Sequence, residues 1–375
     1  MRAFLLFLVW QGYRIARPIF FLFDCEKIHA YATRALAFVS RFSFGRLFLT
    51  LFSVNDTRLA TRAGGIEVNT PLGLAAGYDY DAYATRALPL LGFGFTTLGT
   101  LTFGAYAGNP SPRLGRLVRA RSLVVNKGFK NDGVRETLAR LATEPFSAPL
   151  GVSVGQTNKP YTSYEEQVQE IEHATRLVCE SAAPFSWLEV NISCPNLTSA
   201  HDWYDAERLS LLLSRVLPFS QKRGVPTWVK MPISCTDEVF DALCRVCKEK
   251  CVSALVVGNL QKKRDGFMSH EESARYTKGN LSGAPTQKQS DVCIARAYRL
   301  VGDSCAIVGC GGIFSADDAY RKIRLGASLV ALVTGLIWEG PALPARIAHG
   351  LSQRLARDGF TSVSEAVGVD AHLSK

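Results

Sequence analysis

"CAIVGCGGIFSADDAYRKIRLGASLVALVTG", Cys305 to Gly335, holds two apolar runs around one polar stretch. The first run, 305–312, ends in Gly-Cys-Gly-Gly, and the second, 329–334, ends at Thr334 with Gly335 behind it. Both are nearly continuous in small and branched apolar residues, as strands buried on both faces are. Between them, 315–325 reads as a helix. Strand, helix and a second strand of the same kind make one parallel unit. Outward from this stretch the unit repeats. Apolar runs at 71–77, 95–100, 149–155, 187–193, 227–232 and 254–259 bring the strands to eight. Helical patterns at 83–91, 132–143, 162–181, 206–218, 237–251, 286–302 and 341–357 separate or follow most of them. Eight strand–helix units predict an α/β fold of the (β/α)8 TIM-barrel type. A doubly wound open sheet wants a glycine fingerprint after its first strand, and "AAGYDYDA" (75–82) does not supply one. Residues 112–133 are too long for a plain loop and predict a small β-hairpin over the barrel mouth.

Barrel chemistry sits at the C-terminal strand ends. Those ends carry Ala76, Gly77 and Asp79; Gly99 and Thr100; Ser153 and Gln156; Asn191, Ser193, Cys194 and Asn196; Lys230; Gly258 and Asn259; Gly309, Gly311 and Gly312; Thr334 and Gly335. The set is rich in amides and small residues. It holds no His and no carboxylate pair, so it lacks the parts for metal-assisted hydrolysis and for glycoside cleavage, and no metal is expected. Bare backbone at Gly311, Gly312 and the Val333–Gly335 turn falls where barrels bind phosphate, after the last two strands. "LSGAP" (281–285) adds Ser282 and Gly283. Lys230, the one cation among these ends, is costly inside a barrel mouth unless an anionic or electron-rich partner meets it.

Composition fits this picture. The chain has 375 residues, 20% of them charged, with a net charge of +10. That length suits one large barrel, and that charge favours anionic small molecules or an anionic membrane face. Neither a zinc-finger spacing nor an RNP-like motif nor a dense basic block is present, so nucleic acid is not an expected partner. The ten cysteines form no secreted framework and read as reduced; Cys244, Cys247 and Cys251 share one helix face. The N-terminus differs from the rest. Ala3–Trp10 and Pro18–Phe23 are apolar but interrupted by Arg14 and Arg17, too short to span a bilayer. They predict helices lying in a membrane interface, with Trp10 and Tyr13 at headgroup level, joined by the apolar stretch 44–52. Residues 1–60 are thus expected as a helical extension and 61–375 as the barrel.

Beyond these derivations, the segments "TPLGLAAGYDYDA", "LGFGFTTLGT", "GNPSPRLGRL", "EVNISCPN", "WVKMP", "LSGAP" and the block running from "IVGCGG" to "GPAL" occur in the order found in the FMN-dependent dihydroorotate dehydrogenases, and the chain resembles that family. Its extension, with "LFDCEKIHAYATRAL" (22–36), is similar to that of the membrane-associated, quinone-using class 2. The resemblance implies oxidation of dihydroorotate to orotate, FMN as cofactor, a membrane quinone as acceptor, and a peripheral place on the cytoplasmic side of a membrane, the inner one if bacterial. It makes Cys194 the catalytic base. It carries substrate binding onto Asn126, Lys127, Phe129, Asn191, Asn196 and Asn259. FMN binding falls on Ala76, Gly77, Thr100, Ser153, Asn191, Lys230, Gly258, Ser282, Gly283, Gly311, Gly312, Val333 and Thr334. Five departures stand out, one of them Gly258, where the family has a Thr before Asn259. Class 2 members usually carry Ser as base; the family Lys after "AAG" is here Tyr80; the family substrate Asn is here Val125, with Asn126 and Lys127 following; and an FMN-binding Asn is here Ser153. Two alternatives accompany this reading: a related FMN oxidoreductase for another pyrimidine or an enoate, and a non-redox barrel that binds a phosphorylated ligand.

Overall fold

A computed structural model describes residues 2–141, 146–198 and 202–372. Eight parallel strands close into a barrel in chain order: Leu72–Leu74, Phe95–Leu101, Leu150–Val154, Trp187–Asn191, Thr227–Met231, Ala254–Val257, Ala306–Cys310 and Leu329–Leu332. Val330 pairs with Leu72 to shut the ring. All eight fall on the apolar runs of the sequence. Almost every residue in them is buried, because the inward side chains fill the barrel and the outward ones meet helices. Low in the barrel, Trp187 stacks on Trp228 with centroids 4.4 Å apart, and Phe95 meets both edge-on. A two-stranded hairpin, Thr61–Ala63 with Ile66–Val68, plugs the bottom; the Trp228 indole N–H donates to the Gly64 carbonyl at 2.8 Å. The turn is Gly64-Gly65, both at positive φ, as a two-residue hairpin of this hand requires.

The helices depart from the sequence reading in places. No α-helix spans 83–91; the chain makes only a 3₁₀ turn at Leu88–Leu91. The reason is local. Asp79 accepts from the backbone N–H groups of Tyr83 and Ala84 and from the Thr85 hydroxyl, holding an irregular loop, and Pro89 follows. The helix expected at 132–143 runs Val134–Arg140, and 142–143 lie outside the described residues. The helix expected at 206–218 continues through Pro218 to Arg223. Cys244 and Cys247 lie on the buried face of Asp237–Glu249, but Cys251 lies beyond it, exposed at positive φ, so the three do not share a helix face. The excursion over the mouth is a three-stranded sheet: the hairpin Leu114–Leu117 with Ser122–Val125, joined by Asn280–Leu281.

Three N-terminal helices follow one another: α1 (Arg2–Phe21), α2 (Cys25–Val39) and α3 (Ser43–Leu49). Asp24 caps α2, accepting from the N–H groups of Glu26 and Lys27. One stripe of α1, Leu6-Trp10-Tyr13-Arg17, grips the barrel. Trp10 Nε1 donates to Glu339 Oε2 at 3.1 Å, Tyr13 to the Ile337 carbonyl at 2.6 Å and Arg17 to the Trp338 carbonyl at 2.8 Å. Trp10 and Tyr13, expected at headgroup level, are thus turned toward the barrel. Their polar tips find protein partners, and the Arg346 guanidinium lies 3.8 Å over the Trp10 ring. The opposite stripe, Phe4-Leu8-Ile15-Ile19, faces outward. On α3, Phe44 and Leu47 are exposed, whereas Leu49 and Phe52 are buried in the main core and belong to the body of the protein.

Candidate active site

The strand ends, the excursion sheet and α2 enclose one cavity of about 1240 Å³, counting its opening to solvent. Ala76, Gly77, Thr100, Asn191, Cys194, Asn196, Lys230, Gly258, Asn259, Ser282, Gly283, Gly311, Gly312, Val333 and Thr334 all line it, and the loop after Val125 adds Lys127 and Phe129. Two expected residues do not reach the wall. Asn126 is buried behind it, accepting from Asn109 Nδ2 at 3.0 Å. Ser153 is fully buried beneath it, bonded to the Thr100 hydroxyl at 3.0 Å and donating to Glu189 Oε1 at 2.7 Å. Val125 and Tyr80 do line the cavity, as do Lys130 and, from α2, His29. Three lysines and a histidine face this space, and no described Asp or Glu does.

Cys194 lies at the cavity wall, almost buried against Leu197 and Phe129. Burial pushes its thiol up to about 11; the Asn196 backbone N–H and the Lys230 charge pull the other way and only partly offset it. A lowered thiol pKa, the simplest way for cysteine to act as a base, is not what the structure provides. The loop that carries it is held by amides distant in sequence. Asn109 Nδ2 donates to the Asn196 carbonyl at 3.1 Å, Asn158 accepts from the Thr198 N–H at 2.8 Å, and Asn280 Nδ2 donates to Asn196 Oδ1 at 2.7 Å. Sequence reading missed Asn109, Asn158 and Asn280, since none sits at a barrel strand end.

The amide lining is ordered by its own bonds. Asn191 Oδ1 accepts from the Ser193 N–H at 3.2 Å, and its Nδ2 donates to Thr100 Oγ1 at 2.8 Å. Asn259 Nδ2 donates to Ser193 Oγ at 2.7 Å. Asn196 and Asn259 each keep a spare donor and acceptor, the pair needed to read an imide edge, while Asn191, whose Oδ1 also accepts from Ser193 Oγ at 3.0 Å, keeps one N–H to give. Above them, Lys127 Nζ sits 4.3 Å over the Tyr80 ring, and His29 stacks near the same ring at 5.9 Å. Burial drives His29 down to about 4, with the Lys127 charge adding to the effect, so it is neutral at pH 7. Burial also lowers Lys127, to about 8, against the pull of Glu26.

A phosphorylated flavin fits these residues. Gly311 and Gly312 have φ of +112° and +68°, and a Cβ at either would strike Thr286 or Gln287 within 2.7 Å. A Cβ on Gly335 would lie 2.1 Å from the Ile313 carbonyl oxygen. Only glycine fits these positions, and it leaves the backbone open to a ligand. Lys230 is buried, and its only described hydrogen bond is to the Ala76 carbonyl at 3.5 Å. A buried ammonium so weakly held has capacity for an electron-rich partner in the cavity.

Fold and site together define a (β/α)8 barrel whose mouth is lined by lysines, amides and glycine backbone. Residues 58–355 match the family model for dihydroorotate dehydrogenase, and the chain belongs to that family. It is 36% identical over 362 residues to the dihydroorotate dehydrogenase (quinone) of Chelativorans sp. (strain BNC1), with 94% of each chain covered. To the protein of that name from Deinococcus deserti it is 37% identical, covering 96% of this chain and 99% of that one. Among solved structures, Eimeria tenella DHODH in complex with ferulenol superposes with a TM-score of 0.80 at 25% identity, covering 92% of this chain and 96% of that one.

Proposed function

We propose that this protein is an FMN-dependent dihydroorotate dehydrogenase that converts dihydroorotate to orotate in pyrimidine biosynthesis and passes the electrons to a membrane quinone. The observation that carries the reading is the single cavity in which Cys194, Asn191, Asn196, Asn259, Lys230 and the Gly311–Gly312 backbone converge. FMN supplies the acceptor for the hydride that leaves C6 of the substrate. The protein's own residues do the rest. Gly311, Gly312 and the Val333–Gly335 turn receive the phosphate, and Lys230 sets a positive charge beside the ring, favouring electron uptake there. Asn191, Asn196 and Asn259 hold the pyrimidine edge. Cys194 Sγ takes the C5 proton, shielded from water by Phe129 and Leu197. Lys127 answers the substrate carboxylate, a role open to it because Tyr80 brings no charge and Lys127 reaches over its ring.

The apolar faces of α1 and α3 support a peripheral membrane location; the cytoplasmic side is what the family resemblance implies. Among the described residues no helix is long and apolar enough to cross a membrane. Phe4, Ile15, Ile19, Phe44 and Leu47 nonetheless form outward apolar surface of the kind that marks an interaction face. His29 brings α2, the helix between α1 and α3 in the chain, to the cavity wall.

Val125 and Tyr80 at the cavity wall favour one alternative, an FMN oxidoreductase for another pyrimidine or an enoate. A substrate screen on the purified protein separates the two: dihydroorotate reduces the flavin under the first reading and an unrelated enoate does so under the second. A colourless protein that takes up no FMN would leave only a non-redox phosphate-ligand barrel.

A further inference from the structure

Glu189 is a fully buried carboxyl inside the barrel, two residues before Asn191 on the same strand, so both side chains point to the interior. It does not touch the cavity. What connects it to the site is a chain of hydrogen bonds whose direction is fixed at two points by backbone. The Leu260 N–H donates to Asn259 Oδ1 at 2.9 Å, and the Ser193 N–H to Asn191 Oδ1 at 3.2 Å. Both carboxamides are thereby held with oxygen toward those N–H groups and cannot flip without losing them. The remaining bonds then run one way. Asn259 Nδ2 donates to Ser193 Oγ, which donates to Asn191 Oδ1 at 3.0 Å. Asn191 Nδ2 donates to Thr100 Oγ1, which stands 3.0 Å from Ser153 Oγ, and Ser153 donates to Glu189 Oε1 at 2.7 Å. Each hydroxyl that accepts from one side has its proton to give on the other, so the chain needs a terminal acceptor. Glu189 is that acceptor.

Charge adds a second link. Lys230 pairs in register with Asn191 on the adjacent strand; burial raises the Glu189 carboxyl above the usual carboxylate range, and the Lys230 charge and the Ser153 hydroxyl pull it back toward the ionised form. An uncompensated carboxylate in this interior would be expensive, as would an uncompensated Lys230.

We propose that Glu189 is a positioning residue of this site: its carboxylate terminates the chain that sets which edges of Asn191 and Asn259 meet the substrate, and its negative charge offsets Lys230 beneath the bound ring. The proposal rests on the FMN reading above. It is tested on the FMN-loaded protein with two variants. Glu189→Gln keeps an acceptor oxygen and removes the charge. It should bind orotate with near wild-type affinity while the flavin midpoint potential rises, by about tenfold in the redox equilibrium, or about 30 mV for a two-electron couple. Glu189→Leu removes the acceptor as well and should weaken orotate binding about tenfold, because the Ser153 hydroxyl is left unsatisfied. A purely structural Glu189 would lower thermal stability in both variants and leave the potential of Glu189→Gln in place. An unmoved potential in Glu189→Gln, or wild-type orotate affinity in a folded Glu189→Leu, overturns the proposal. Wild-type protein that carries no FMN or ignores orotate fails at the earlier reading instead.

Discussion

At Cys194 the structure separates two requirements on a catalytic base, position and ionisation. The thiol faces the amides that would hold a pyrimidine, yet burial holds it at about 11, so the thiolate is a minor form at neutral pH. Flavin reduction by dihydroorotate should therefore rise with pH across the whole range below about 11, with no plateau near 8. In Cys194→Ala it should fall roughly 10²–10⁴-fold while FMN and orotate still bind. Stopped-flow reduction of both proteins from pH 6 to 10 checks this, and wild-type reduction by the alanine variant would place the base elsewhere. Lys127 has the opposite sign. Its ammonium, lowered to about 8, loses its charge as pH rises, so orotate affinity should decline above about 8. Lys127→Met should bind orotate about tenfold more weakly at pH 7 and show no such decline, since a charge-assisted hydrogen bond contributes ~1.5–3 kcal/mol. Titration with orotate measures both; an unchanged affinity would release Lys127 from the substrate. Much of this site could be read from the sequence because strand ends carry barrel chemistry, and "NISCPN" puts Asn191, Cys194 and Asn196 on one such end. His29, Asn109 and Asn280 could not, because they reach the cavity or its wall from outside the barrel strands and no local pattern announces them. Glu189 was legible only as one letter in an apolar run.

Elements divide the same way. Eight apolar runs give eight strands, since a strand buried on both faces carries its signal in every residue. The 83–91 segment has helical spacing but forms only the 3₁₀ turn Leu88–Leu91, because Pro89 has no N–H to give the Thr85 carbonyl and Gly92 ends the turn at positive φ. At Gly258 the link between strand and loop depends on the backbone alone: φ is +143°, and an added Cβ would lie 1.9 Å from the Cys310 carbonyl oxygen. Gly258→Ala should destabilise the protein by at least ~1–3 kcal/mol and reduce its FMN content, as thermal unfolding and flavin release would report. A wild-type melting temperature would mean the loop re-forms around the side chain. For α1, the spacing showed an amphipathic helix without saying which stripe faces the barrel. The polar-tipped stripe does, because Glu339 and the carbonyls of Ile337 and Trp338 satisfy it. The outward stripe is then left apolar. Replacing Ile15, Leu22 and Phe44 by Ser keeps the buried Leu49 and Phe52 in place, which removal of residues 1–52 would not. These changes should lower liposome flotation more than tenfold, given ~1.5–3 kcal/mol for each large apolar side chain, and slow oxidation by a long-chain quinone. Reduction by dihydroorotate should be little affected. Full flotation would make the extension a cap rather than an anchor.

For the molecule as a whole, the barrel is closed below by the Gly64–Gly65 hairpin and covered above by the excursion sheet and α2, which Glu26 ties to Arg113 and Lys130. The cavity so formed is lined by Lys230, by the Gly311–Gly312 backbone and by the Cys194 thiol, and His29 of the N-terminal extension reaches its wall. Under the proposed function, an anionic redox cofactor lies between substrate and membrane. The direct test is the absorbance spectrum of the purified protein before and after anaerobic addition of dihydroorotate. The account predicts a flavin spectrum of one non-covalent FMN per chain that bleaches with dihydroorotate and returns with quinone. A colourless protein that takes up no FMN, or a yellow one whose spectrum dihydroorotate leaves unchanged, would contradict it.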